Sequence, residues 1–154
     1  FLQKMSNQTQ VNVITQDLAG DDESQARDMS KVNIPQGVEV FEIYGSLFFG
    51  AVAQFRESIR VVAHKPKVLI LRMRHVMTID ASGLHLLEEL AHEAHEGGYL
   101  LIFSAVTPTV YAAMEKSGLV DEVGNENFAP DIFKAIDISE RHLNNKEGQD
   151  ERDN

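Results

Sequence analysis

Residues 68–84 read VLILRMRHVMTIDASGL, and this stretch decides the fold of the chain. Val68 to Met73 is a short apolar run with the branching of a strand buried on both faces, which usually has parallel neighbours. The residues from Ser82 to Glu96 follow with helical spacing and stop at Gly97-Gly98. A buried strand that leads into a helix in this way predicts a parallel crossover.

The segment Asp80-Ala81-Ser82-Gly83-Leu84 places a serine hydroxyl at the predicted start of that helix. Unpaired backbone N–H groups and the positive end of the helix dipole favour an anion there. A phosphate on Ser82 would add a charge of about −1.5 to −2 beside Asp80 and change the surface. The alternative is that Asp80 and Ser82 only cap the helix, a contribution of about 1 kcal/mol.

Strands and helices alternate on the N-terminal and C-terminal sides of this stretch. Val38 to Tyr44 alternates apolar and polar residues, which predicts a strand with one buried face. Spacing predicts a helix from Ala51 to Ala63, a buried strand from Tyr99 to Ser104 and a short strand at Val11 to Ile14. Together these elements predict an α/β fold, a small, mostly parallel β-sheet with helices packed on it.

The C-terminal part carries clear helix boundaries. Thr107 is predicted to cap a helix whose first residue is Pro108 and which closes at Gly118. Leu119 to Val123 contains three apolar residues that would form a small edge strand. A last helix is predicted to start at Ala129-Pro130-Asp131, with one apolar stripe formed by Ile132, Ile136 and Leu143.

Composition limits the classes of function. The 154 residues, 43% of them hydrophobic, suffice for one domain with a sizeable core. Fourteen Lys and Arg against 24 Asp and Glu give a net charge of −10, which repels nucleic acid. With no cysteine, disulfides and thiol chemistry are excluded, and no apolar run approaches the roughly 20 residues of a membrane-spanning helix.

Two polar segments are predicted to lie outside the packed core. Residues 17–33 form an acidic stretch with low apolar content, which predicts a mobile loop rather than a binding site. Residues 144–154 are polar and charged, and they are predicted to be a disordered tail.

The helix after the motif is rich in histidine and glutamate. Glu88, His92 and His95 share one face and would in principle hold a metal ion. Their spacing is not that of the His-Glu-x-x-His motif, so a solvated face with pairing between acids and imidazoles is favoured, and no metal site is predicted. No serine elbow or phosphate-binding Gly-x-x-x-x-Gly-Lys loop is present, so neither catalytic residues nor a cofactor is predicted.

The order of elements, with Asp80-Ala81-Ser82-Gly83-Leu84 after a hydrophobic strand and Gly97-Gly98-Tyr99 before the next, resembles STAS domains. These include bacterial anti-sigma-factor antagonists and the cytosolic C-terminal domains of SulP anion transporters. The segment from Val38 to Gly50 and the segment Glu126-Asn127-Phe128-Ala129-Pro130-Asp131 are similar to the transporter branch. Residues 11–143 would then be the STAS domain and residues 1–10 a linker that follows a transmembrane region.

The resemblance implies a site and partners. Ser82 occupies the position that a partner kinase phosphorylates in the antagonists, although Ala81 stands where antagonists commonly have a second serine. Phe48 and Phe49 would be either docking aromatics or core residues, because consecutive strand residues point to opposite faces.

The implied function is regulation and protein–protein interaction, not catalysis, around the Asp80–Ser82 helix start. The chain would be the cytosolic regulatory domain of a SulP-type transporter of sulfate or a related anion, on the cytoplasmic side of a bacterial inner membrane. Its partners would be the membrane domain of the same polypeptide, a second copy in a homodimer, or a cytosolic regulatory protein or kinase. The alternative is a free-standing partner-switching regulator, like the anti-sigma-factor antagonists, that is phosphorylated on Ser82.

Overall fold

The described part of the chain folds around a five-stranded sheet. The computed structural model describes residues 10–13, 33–44 and 66–153. The strands lie side by side in chain order, and β1 is antiparallel to β2 while all later neighbours are parallel. This confirms the predicted mostly parallel α/β fold. The strands are β1 Gln10–Val13, β2 Val38–Tyr44, β3 Val68–His75, β4 Leu100–Ser104 and β5 Phe128–Ala129.

Helices cover both faces of the sheet. Strands in simple sequential order, joined by right-handed crossovers, place their connecting helices on one face. The first three helices pack there, and the fourth packs on the opposite face. The helices are α1 Ala81–Gly97, α2 Pro108–Ser117, α3 Leu119–Val123 and α4 Ile132–Asp153.

Strand β3 contributes to two hydrophobic cores. Leu69, Leu71 and Met73 belong to the core shared with α1, whereas Val68 and Ile70 belong to the core shared with α4. All five side chains are at most 1% exposed. The expectation that this run is buried on both faces is therefore confirmed, and it explains why the run is apolar without alternation.

The chain from Leu119 to Val123 is helical, so the predicted edge strand is wrong. Gly118, at φ +91°, ends α2 and redirects the chain so that Leu119 and Val120 turn into the core. The edge position is taken instead by β5, where Phe128 stacks on Phe103 with 5.2 Å between ring centroids. A run of five residues with three apolar ones is too short for periodicity to distinguish helix from strand.

The last helix continues to Asp153, which corrects the prediction of a disordered tail from Asn144. The apolar stripe of α4 anchors its first part, and adding residues to an existing helix needs no new nucleation. Lys146 Nζ also donates to Gly98 O at 2.9 Å, which attaches this part of the helix to the end of α1.

Several expectations lie outside the described residues. They are the linker before residue 10, the acidic loop up to residue 32, the docking aromatics Phe48 and Phe49, and the helix from Ala51 to Ala63. Among the residues that the structure does describe, no helix has the length and apolar character needed to cross a bilayer.

Candidate functional site

The carboxyl end of β3 leads into the predicted functional helix start. Asp80 is the N-cap of α1, and its Oδ1 accepts the Gly83 N–H at 2.8 Å. The Asp80 carbonyl accepts the Leu84 N–H at 2.9 Å, which closes the first helical turn. The capping function therefore belongs to the aspartate alone, while Ser82 is the second residue of the helix.

The Ser82 side chain is half-buried at this helix start. Within the described ranges its hydroxyl makes no hydrogen bond. The Asp80 carboxylate already occupies part of the positive field of the helix N-terminus. A phosphate on Ser82 would compete with that carboxylate, so modification would disturb the cap as well as add charge.

The loop before the helix exposes a large apolar side chain. Met77 is 58% exposed, although Val76 beside it is fully buried. Val76 O accepts the Thr107 hydroxyl at 3.3 Å, which links this loop to the start of α2. Thr107 is the N-cap residue as predicted, with Pro108 at the first position of α2, but its hydroxyl makes no bond to its own helix.

The neighbouring loop after β4 has a strained backbone. Ala105 has φ +56°, and among the described residues it is the only one other than glycine with a positive φ. Its N–H donates to Ala129 O at 2.9 Å, a bond that holds the loop against β5. A left-handed alanine costs free energy and persists where surrounding contacts enforce it, often beside a functional site.

A buried ionic cluster lies where β2 and β3 end, next to the loop that leads to Asp80. Glu42 is fully buried; its Oε1 accepts from Arg74 Nε at 2.8 Å and lies 3.3 Å from His75 Nε2. Its Oε2 lies 3.5 Å from Nη1 of Arg72, the residue paired with Glu42 in the β2–β3 register. The alternation of β2 predicts one buried face, and this is wrong. Val38 and Val40 belong to one core, and Phe41 and Ile43 belong to the other. Glu42 is buried as well, because cations from β3 compensate its carboxylate inside the protein.

The helix histidines pair with acids one turn later. His85 Nε2 lies 2.8 Å from Glu89 Oε1, and His92 Nε2 lies 3.1 Å from Glu96 Oε1. Glu88, His92 and His95 share a helix face but were not predicted to bind a metal ion, and the described residues contain no group of three side chains that would hold one. These contacts have the i,i+4 spacing typical of a solvated helix face.

The Asp80 cap makes a testable contribution to stability. Asp80→Ala is expected to lower the free energy of unfolding by about 1 kcal/mol, because the Gly83 N–H loses its acceptor. Asp80→Asn retains an acceptor oxygen and should cost clearly less. Urea unfolding followed by circular dichroism measures both. Equal losses in the two variants would show that the carboxylate charge, rather than the hydrogen bond, stabilises the helix start.

The structure brings only part of the predicted site to the surface. Asp80 and Ala81 are exposed, Ser82 and Leu84 are half-buried, and Gly83 is buried with its N–H committed to the cap. We define the motif surface as Met77, Asp80, Ala81 and Ser82. Met77 was missed by sequence reasoning, since one methionine in a loop carries no periodic signal.

Comparisons with known proteins agree on one family. Residues 30–137 match the family model of the STAS domain. The crystal structure of a sulfate transporter family protein from Wolinella succinogenes is 36% identical, with a TM-score of 0.69, and the match covers 75% of this chain and 94% of that one. The SulP transporter STAS domain from Vibrio cholerae is 25% identical, with a TM-score of 0.63 and coverage of 77% and 92%.

An anti-sigma factor antagonist from Mycobacterium paratuberculosis is similar in fold. It is 15% identical, with a TM-score of 0.60, and the match covers 86% of this chain and 95% of that one. No curated protein sequence matches the chain.

Proposed function

The chain belongs to the STAS domain family, and from this membership we propose that it is the regulatory domain of a SulP-type anion transporter. In this function it binds other protein surfaces through the motif surface and carries out no catalysis of its own. The transported anion, sulfate or a related one, is handled by a membrane domain of the same polypeptide. The chain then works on the cytoplasmic side of a bacterial inner membrane.

The observation that supports the motif surface as the binding surface is its exposure in the loop before α1. A methionine that is 58% exposed lies beside an exposed cap and a serine whose hydroxyl has no partner in the described ranges. Unbranched methionine adapts to different apolar partners, and it is common on binding surfaces. The identity with the Wolinella protein supports the transporter branch, because the antagonist shares only the fold.

Regulation would act through a change in charge at this surface. A phosphate on Ser82, or an anionic ligand near it, places negative charge beside Asp80 and at the edge of the Met77 contact. A new charge beside an apolar contact weakens the binding of the partner that uses this contact. The partners that fit this mechanism are the membrane domain, a second copy in a homodimer, and a cytosolic regulatory protein or kinase.

Anion uptake by the transporter polypeptide that carries this chain tests the proposal. Met77→Asp is expected to lower uptake into membrane vesicles about fivefold or more, since loss of a central contact costs over 1 kcal/mol. Ser82→Asp should act in the same direction and Ser82→Ala should not.

Phe133→Asp is the matched control for this experiment. Phe133 is the other exposed large apolar side chain in the described ranges, at 46%, and it lies on α4 at the opposite face of the sheet. Its substitution should leave uptake unchanged. Equal uptake by wild type and Met77→Asp, with equal amounts of protein in the membrane, would overturn the proposal.

A second candidate is a free-standing partner-switching regulator that is phosphorylated on Ser82. The unpartnered Ser82 hydroxyl at a helix start favours it. Incubating the chain with ATP and lysate of the source cells, followed by mass spectrometry of the Ser82 peptide, tests it against a Ser82→Ala control. Phosphate on Ser82 in a protein that lacks a membrane-spanning region would support this candidate, and an unmodified Ser82 would eliminate it.

A further inference from the structure

The methionines in the described ranges differ sharply in exposure. Met73 and Met114 are fully buried, whereas Met77 is 58% exposed. A thioether reacts only when the oxidant reaches its sulfur atom, so exposure sets the order in which methionines are oxidised. The chain has no cysteine, so no thiol within it competes for the oxidant. Among these three methionines, Met77 is therefore the one that an oxidant in solution meets first.

The loop before α1 holds Met77 outside the core. Its neighbour Val76 is fully buried, and the Val76 N–H donates to Met73 O at 3.0 Å. Val76 O accepts the Thr107 hydroxyl at 3.3 Å, so the side chain, the N–H and the carbonyl of this residue are all engaged. Three residues after Met77, Asp80 caps α1. Met77 is thus presented from a loop that is attached on both sides, and moving it into the core would break these contacts.

We propose that Met77 is a reversible oxidation site whose oxidant is a hydroperoxide. The thioether sulfur attacks the terminal oxygen of the hydroperoxide. The S–O bond forms as the O–O bond breaks, and the proton moves to the departing oxygen, which leaves as an alcohol or as water. Sulfur loses two electrons and the peroxide gains them. A thiol-dependent reductase reverses the change: the sulfoxide and two thiols give the thioether, one disulfide and water.

The sulfoxide alters the motif surface, and its regulatory effect rests on the proposed function of that surface. The apolar Met77 side chain gains a polar oxygen that accepts hydrogen bonds. A partner that covers Met77 would then bury this oxygen, and burial of a polar group without a donor weakens binding. Oxidation therefore acts on the same surface as a phosphate on Ser82, but it needs no kinase and adds no charge.

Oxidation of the 154-residue chain by hydrogen peroxide, followed by mass spectrometry that locates each added oxygen, tests the chemistry. Met77 is expected to be oxidised at least about tenfold faster than Met73 and Met114, because a buried thioether reacts only after local opening. In urea the three rates should become similar. Methionine sulfoxide reductases A and B together should return Met77 to the thioether. Equal rates in the folded chain, or a sulfoxide that the reductases leave unchanged, would overturn the proposal.

Anion uptake by the transporter polypeptide that carries this chain tests the regulatory effect. Peroxide is expected to lower wild-type uptake about fivefold or more, the loss that follows from burying a polar group without a partner. Met77→Leu is the matched variant, because leucine keeps an apolar side chain of similar volume and has no sulfur. Each polypeptide is compared with its own uptake before peroxide, so oxidation elsewhere affects both equally. The peroxide response of Met77→Leu should be much smaller than that of the wild type.

Further variants separate this switch from the proposed function. Met77→Gln carries a permanent polar oxygen, and before peroxide it should already resemble the oxidised wild type. Equal peroxide responses of wild type and Met77→Leu, together with lost uptake in Met77→Asp, would overturn the switch and leave the proposed function standing. Unchanged uptake in Met77→Asp would overturn the proposed function, and the switch with it, even where mass spectrometry finds the sulfoxide.

Discussion

Replacing Glu42 by glutamine is expected to lower the free energy of unfolding by about 3–5 kcal/mol. Glutamine has nearly the same shape, so the substitution removes the charge and leaves the packing. Arg72 has a side chain only 5% exposed, and it would keep a buried positive charge without the carboxylate that now lies 3.5 Å away. Removing one member of a buried ion pair is strongly destabilising, because the charge that remains stays desolvated and loses the compensation that this carboxylate gave it.

Urea unfolding followed by circular dichroism measures this effect. Glu115→Gln is the matched control, since this carboxylate is exposed on α2, and its substitution should change the free energy of unfolding by less than about 0.5 kcal/mol. A loss below about 1 kcal/mol in Glu42→Gln would show that Arg72, Arg74 and His75 do not depend on this carboxylate. Because His75 of the cluster is the last residue of β3 and directly precedes Val76, we also expect Glu42→Gln to shift the amide resonances of Val76 and Met77.

Replacing Phe103 by alanine is the second large expected effect, a loss of about 3–5 kcal/mol. Phe103 is fully buried near the end of β4, and its ring stacks on Phe128 with 5.2 Å between centroids. The Tyr111 ring contacts the Phe128 ring edge-on, with 5.4 Å between centroids. Removal of Phe103 therefore leaves a cavity beside these two rings. The loss combines the transfer of the ring to water with this cavity, which the close-packed sheet and helices fill only in part.

The same substitution at Phe133 is the internal control. Phe133 is 46% exposed, and its replacement by alanine should cost less than about 1 kcal/mol. Equal losses at the two positions would mean that Phe133 is covered in solution, for example by a second copy of the chain. Unfolding at two protein concentrations distinguishes that case, because a dimer becomes more stable as concentration rises.

Much of the fold could be predicted from local patterns. The run from Val68 to Met73 predicts a strand with two buried faces, and Thr107-Pro108 predicts a helix start, and both are confirmed. These signals work because turn chemistry and apolar periodicity act over a few neighbouring residues. Leu119 to Val123 forms a helix where the sequence predicts a strand, because so short a run satisfies either periodicity.

The candidate site was only partly predictable for a different reason. The sequence located the helix start and implied the family through Asp80-Ala81-Ser82-Gly83-Leu84. It did not show which of these side chains reach the surface, and it did not indicate Met77. Exposure depends on which other elements cover a residue, and those elements come from distant parts of the chain.

The sequence alone indicated most of the described strands and helices, the serine at a helix start and the family to which the chain belongs. Only the tertiary structure decided that Asp80 rather than Ser82 is the cap and that Glu42 is buried among cations of β3. The physical reason is the range of the interactions. Backbone conformation follows nearby side chains, whereas burial, charge compensation and cavities depend on residues that meet only when the sheet has assembled.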